Sequence, residues 1–214
     1  MNWLSRLLPG RDEARPSNTA TRALIEQWAA IPDVDPNKPH FETRYVVVNT
    51  EASGLDLERD TLLSVAAIAI VEGQILPSDS YYATLGDHAA AALGGLVEFA
   101  GKSPLVVFSA EFNRTLIERA FEAHLGFTPE LIWLDLYVLL PALFPDRLAR
   151  PARLAEWMEV FGIETFQRHH ALGDAWVIAQ LMLAIQARAL PQGAFNARLL
   201  ADIERSRRQL QRQT

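Results

Sequence analysis

Three short segments place polar side chains where an apolar stretch stops. In Val46-Val47-Val48-Asn49-Thr50-Glu51-Ala52-Ser53-Gly54-Leu55, Asn49 and Glu51 end a buried strand and share one of its faces, because strand side chains alternate with period two. Phe108-Ser109-Ala110-Glu111-Phe112-Asn113 runs from a strand end into a helix start. In His169-His170-Ala171-Leu172-Gly173-Asp174-Ala175, His169 precedes a helix and Asp174 lies within its first turns. Carboxylates are the oxygen ligands that magnesium and manganese prefer. A histidine titrates close enough to neutrality to move a proton. Each segment alone also has a plainer reading. Asn49 and Glu51 are a strand end entering a turn, and Asn113 is a helix N-cap, a role asparagine fills well. His169 and His170 are a surface pair before a helix, and Asp174 is a carboxylate favoured by the helix dipole. His88 and His124 read as structural.

The elements that must position these residues follow from periodicity. Thr19 to Ile31 has Leu24, Ile25 and Trp28 at helical spacing, and Pro32, Pro36 and Pro39 then break regular structure. Tyr45 to Val48 and Leu62 to Val71 read as strands; Glu72-Gly73 is a hairpin turn into a third strand, Gln74 to Tyr82. His88 to Ala100 predicts a helix, Leu105 to Phe108 a fourth strand, and Phe112 to Leu125 a helix through Leu116, Ile117, Ala120 and Phe121. Leu131 to Leu143 is one apolar run ending at Pro145. Arg153 to Phe161, Ala171 to Leu190 and Ala194 to Arg212 predict three more helices, the last with Arg205, Arg207, Arg208 and Arg212 near its end. Those arginines read as a solvated helix face, and Trp133, Trp157 and Trp176 as core residues in helical surroundings. Three strands in series, then alternating helix and strand, then helices, imply an α/β fold: a mixed sheet with helices packed on it.

The bulk numbers fit one such domain. The chain has 214 residues, half of them hydrophobic and 21% charged. It carries a net charge of -6 and lacks the basic balance of a protein that coats duplex nucleic acid. With no cysteine, disulfides, cysteine-ligated zinc and cysteine nucleophiles are excluded. No apolar run approaches the roughly 20 residues of a membrane span. The Trp3, Leu4, Leu7, Leu8 stripe is too short for a signal peptide and reads as a docking or packing element, so no membrane partner and a cytoplasmic location are expected.

Together the three segments resemble the motifs of the DEDDh family of 3′–5′ exonucleases, which includes the proofreading subunits of bacterial DNA polymerase III and ribonuclease T. There the first motif reads Asp-x-Glu-x-x-Gly, the second ends in Phe-Asp, and the third is His-x-Ala-x-x-Asp. The resemblance runs from about Tyr45 to about Leu190 and implies a ribonuclease-H-like fold, with an N-terminal helical extension and linker over residues 1–40, an exonuclease-like domain over 41–192 and a C-terminal helix over 193–214. It further implies hydrolysis of phosphodiester bonds at a single-stranded DNA or RNA 3′ end by two magnesium or manganese ions. Glu51 and Asp174 then match metal ligands and His169 matches the general base. Thr50, Ser53, Gly54, Leu55 and Phe112 fall where the substrate strand or a nucleotide would lie.

The match is incomplete. Asn49 and Asn113 stand where two metal-binding aspartates belong, and an amide offers one carbonyl oxygen but no charge against a dication. A loss of only about 4 kcal/mol of transition-state stabilisation slows a reaction roughly a thousandfold. Ser109 replaces the expected His or Asn, and the segment from Tyr82 to Ala92 is short, without the family's loop beside the substrate. Deliberate Asp→Asn exchange would explain the asparagines but not the short segment, so the pattern reads as divergence. Two functions remain open: a metal-dependent exonuclease of weakened activity, and a catalytically degenerate pseudo-exonuclease that binds a nucleotide or a protein partner.

Overall fold

The computed structural model describes residues 19–167 and 169–212. The β-branched run at Tyr45–Ala52 forms the central strand β1, and Leu62–Val71 (β2) and Gln74–Thr84 (β3) follow it as antiparallel neighbours. The β2–β3 turn takes positive φ at both Glu72 (52°) and Gly73 (71°), the twist a two-residue hairpin needs. Strands β4 (Leu105–Val107) and β5 (Trp133–Asp135) add in parallel on the other side of β1, giving the order β3-β2-β1-β4-β5. Val46, Val47 and Val48 have no exposed area, so β1 is covered on both faces. On one face Val46, Val48, Val65 and Ala67 meet helices α1 (Thr19–Ala30), α2 (Ala89–Ala100) and α3 (Ala110–Leu125). On the other, Tyr45, Val47, Ala66 and Ile68 meet α4 (Leu136–Leu143), α5 (Leu154–Phe161), α6 (Ala171–Ala189) and α7 (Ala197–Gln211). This is the expected α/β mixed sheet flanked by helices.

Helix α1 joins the core through buried Leu24, and its Trp28 indole donates to the Gly101 carbonyl at 2.8 Å. The Trp3, Leu4, Leu7, Leu8 stripe lies outside the described residues. Among the described residues, no helix is long and apolar enough to cross a membrane.

The apolar run from Leu131 to Leu143 is two elements, not one, and Trp133 sits in a strand rather than a helix. The division falls at Asp135, 2% exposed, whose carboxylate caps α4 by accepting from Tyr137 N–H at 3.0 Å. The same carboxylate accepts from Ser109 N–H (2.9 Å) and Ala110 N–H (3.0 Å) and pairs with Arg208 of α7 at 2.7 Å. Asp135 N–H in turn donates to Glu204 at 2.8 Å, and Glu204 holds Arg208 at 3.0 Å. Arg208 is therefore a partly buried ion-pair partner of Asp135 and Glu204 rather than a freely solvated charge.

His40 joins the start of β1 to the α6–α7 connection. Its Nε2 lies 3.1 Å from the Ala194 carbonyl and its Nδ1 2.7 Å from the Tyr45 hydroxyl. A carbonyl only accepts, so Nε2 carries the proton and Nδ1 accepts from Tyr45. Burial pulls the His40 pKa below its ordinary value of 6.5, against a smaller opposing effect of the Ala194 carbonyl. The neutral ring is thus favoured by folding. The stability it contributes is present above pH 6.5 and is lost as pH falls, because the unfolded chain takes the proton first.

Two outcomes are expected. In urea titrations Asp135→Ala loses about 3–5 kcal/mol, since three N–H groups lose their acceptor and Arg208 its partner. Asp135→Asn loses less. A cost under about 1 kcal/mol for Asp135→Ala would contradict this. In the wild type the unfolding free energy declines from pH 7.5 toward pH 5, and His40→Gln flattens that profile. Identical slopes in the two proteins would remove the assignment to His40.

Candidate functional site

The three motif segments meet at the end of the sheet where β1 and β4 run out, the usual location of ligand sites in open α/β sheets. Asn49 and Glu51 lie on the face of β1 that carries Tyr45 and Val47, and both reach Ala171, the first residue of α6. The Asn49 carboxamide donates through Nδ2 to the Ala171 carbonyl at 3.3 Å. Glu51 accepts from Ala171 N–H through Oε1 at 3.2 Å. Its Oε2 accepts from the Ser64 hydroxyl at 2.6 Å, and Ser64 is its direct cross-strand partner on β2. A carboxylate at a helix N-terminus satisfies an otherwise orphaned N–H and faces the positive end of the dipole. Glu51 thereby anchors α6 to the sheet.

Asn113 points to the other side of β1. It is 6% exposed and lies inside the first turn of α3, so it is not the N-cap; that position belongs to Ser109, whose backbone takes φ 68°. Asn113 Nδ2 donates to the carbonyls of Phe108 (2.8 Å) and Ser109 (3.3 Å), while Oδ1 accepts from the Thr50 hydroxyl at 2.7 Å. The amide pins the tight turn out of β4, and Asp135 holds the same turn from below. Phe112 beside it is half-buried.

His170, not His169, caps α6: its Nδ1 accepts from Leu172 N–H at 3.2 Å. The His170 ring stacks on Tyr82 of β3, with centroids 4.9 Å apart. His169 is exposed and takes φ 57°, a strained value for a side chain of this size. Asp174 is half-buried in the first turn of α6. The chain before α6 presses against that turn. Thr165 donates to the Gly173 carbonyl at 2.9 Å, and a Cβ on Gly173 would meet the Gln167 carbonyl at 1.9 Å, so only glycine fits there.

The loop after β1 is tied to itself. Ser53 donates to Asp60 Oδ1 and Asp56 N–H to Asp60 Oδ2, both at 2.7 Å, and these bonds hold the Asp60 carboxyl below its usual range. A Cβ on Gly54 would lie 2.4 Å from that carboxylate. Leu55, 87% exposed, projects from the loop tip. Arg119 of α3 donates to the Leu57 carbonyl and docks the loop on that helix.

This donor set does not fit a pair of divalent ions. Both Glu51 oxygens already accept hydrogen bonds, and the Asn49 and Asn113 amides spend their NH2 groups on main-chain carbonyls. Among the described residues, no three His, Cys, Asp or Glu side chains are gathered as a metal ion would require. Sequence reasoning missed Ser64, Tyr82, His170 and Asp135. Of these only Asp135 had a local signal, a capping residue inside an apolar run.

No protein-family model and no curated protein matches the sequence. Solved structures do. A zinc-bound Escherichia coli exonuclease I in complex with single-stranded DNA matches at 16% identity and a TM-score of 0.56, over 69% of this chain and 41% of that one. Exonuclease X in complex with 5′-overhanging duplex DNA matches at 16% identity and 0.53, over 75% of this chain and 99% of that one. The moderately thermophilic exonuclease I of Methylocaldum szegediense matches at 16% and 0.53, over 68% and 41%. The chain thus spans about two fifths of exonuclease I. At these identities the likeness is one of fold, and the fold is the ribonuclease-H-like α/β architecture of these exonucleases.

Asn113→Asp tests the donor role of the amide. A carboxylate there would face two carbonyl oxygens, at an expected cost of about 2 kcal/mol and a drop in Tm of roughly 4–8 °C. Asn49→Asp, with one longer bond, should cost less. Thermal melts in chelator check both, and an Asn113→Asp protein as stable as the wild type would refute the donor role.

Proposed function

We propose that this chain is a divergent DEDDh-type exonuclease whose metal site has given way to hydrogen bonds. It acts by binding a nucleotide or a single-stranded 3′ end of DNA or RNA, without rapid hydrolysis. The observation that carries this reading is the use of both asparagine amides as donors to main-chain carbonyls, which an aspartate could not replace. Glu51 then serves as a structural cap for α6. The fold supports a nucleic-acid ligand, since exonuclease I and exonuclease X carry DNA on the same architecture. Thr50, Gly54, Leu55 and Phe112 border the strand end, with Leu55 free to touch a base. Ser53 contributes by holding the loop through Asp60.

A second reading, a slow magnesium- or manganese-dependent 3′–5′ exonuclease, is favoured by one observation. Glu51, Asp174 and His169 keep the family's residue types, and His169 is exposed beside α6.

Calorimetric titration with Mn²⁺, followed by a labelled single-stranded oligonucleotide, separates the two. The expected result is no saturable Mn²⁺ binding and no trimming. Thymidine 5′-monophosphate should nonetheless shift amide resonances of residues 50–55 and 169–174. Tight Mn²⁺ binding with 3′ trimming would establish the exonuclease instead. If neither metal nor nucleotide binds, the nucleotide reading fails and the site is left for a protein partner.

A further inference from the structure

Where β4 and β5 begin, at the end of the sheet opposite Asn49 and Glu51, the surface holds a cavity of about 600 Å³. Four segments wall it. Trp28 stands near the end of α1, Val34 follows that helix, Lys102 follows α2, and Phe127 to Ile132 join α3 to β5.

Local rules build these walls. Gly101 ends α2 with φ 54°, a value glycine adopts without strain, and turns the chain so that Lys102 comes back over α1. The Trp28 indole donates to the Gly101 carbonyl at 2.8 Å, which fixes the ring beside that turn. Lys102 Nζ then stands 4.9 Å from the centre of the Trp28 ring. Phe127 meets the same ring edge-on, with centroids 5.2 Å apart. Trp28, Val34, Phe127, Leu131 and Ile132 are each only half-buried. A ligand filling the cavity therefore removes further apolar surface from water.

The charges around the cavity differ in exposure. The Lys102 side chain is 14% exposed, whereas its partner Asp33, 2.7 Å away, is 92% exposed. A largely buried ammonium needs a counter-charge. An ion pair with so exposed a carboxylate is weak and readily exchanged. A carboxylate inside the cavity meets the same Nζ with less water around it, so it competes well with Asp33. A ligand ammonium has no such opening, because Lys102 already occupies the Trp28 face. Asp33 and Glu130 set two carboxylates against one cation in the lining, which disfavours a ligand with more than one negative charge.

We propose that this cavity binds a small monocarboxylate with an aromatic or branched apolar body. Its carboxylate replaces Asp33 on Lys102, and its body lies against Trp28, Phe127 and Leu131. The cavity shares no residue with the motif segments, so the proposal is independent of the function proposed above.

NMR titration of the full chain with 3-phenylpropionate tests this. The Trp28 indole N–H and the amides of residues 101, 102, 127, 128 and 130–132 should shift saturably, with a Kd of about 1 mM or tighter. The amides of residues 50–55 should stay in place. Lys102→Met should weaken binding at least about tenfold, and Lys102→Arg much less. Asp33→Asn removes the internal competitor at an exposed position and should tighten binding several-fold, which loss of a merely structural ion pair would not do. Thermal melts confirm that each variant is folded. Four results would overturn the proposal. One is no saturable shift up to about 10 mM. The second is 3-phenylpropylamine binding as tightly as the acid. The third is a folded Lys102→Met protein that binds like the wild type. The last is Asp33→Asn leaving binding unchanged or weaker.

Discussion

A carboxylate buried to 2% exposure is costly unless each lone pair finds a donor, and Asp135 finds four: three main-chain N–H groups and a guanidinium. Through them it ends β5, starts α4, holds the turn from β4 into α3 and fastens α7. Glu204 supports it from α7, and burial pushes the Glu204 carboxyl up despite the bonds from Asp135 N–H and Arg208. Remove this hub and the β4–α3 turn loses its fixed φ, Asn113 its position, and α7 its attachment. The β4–α3 turn and the end of α7 both depend on this one side chain.

At the rim of the sheet the motif residues tie strands and helices together through hydrogen bonds. Glu51 bridges Ser64 on the neighbouring strand and Ala171 on α6. Asn113 links the β4 turn to Thr50 of β1. Each bond uses a group that the DEDDh family resemblance assigns to a metal. Of these bonds only the one from Asn113 Nδ2 to the Phe108 carbonyl requires a carboxamide, because a carboxylate cannot donate. Two glycines complete the arrangement: Gly54 lets the Asp60 carboxylate approach the backbone, and Gly173 lets the preceding chain lie against α6.

Composition alone gave a misleading view of charge. The chain is net negative, yet ten of its twenty basic residues fall in its last 71 positions. A net charge averages over surfaces that never meet the same partner, and only the fold says which charges share a face.

Much of the architecture was legible because it rests on local rules. The valine run of β1, the Glu72-Gly73 turn and the helical spacing of Leu116, Ile117, Ala120 and Phe121 each fix an element within a few residues. The order of those elements then limits the sheet to few topologies. The motif segments were legible too, since residue type and strand-end position are sequence properties. Partnership was not. Nothing in the chain says that Glu51 faces Ser64, which antiparallel register alone brings opposite it. Nor does it say that Tyr82 stacks on His170, 88 positions away. Asp135 went unmarked inside an apolar run, and Arg208 looked like a solvated charge. Sequence determined which groups exist and which local shapes they prefer. Tertiary structure decided which donors meet which acceptors, because hydrogen bonds and ion pairs act over a few ångströms between segments that only folding brings together.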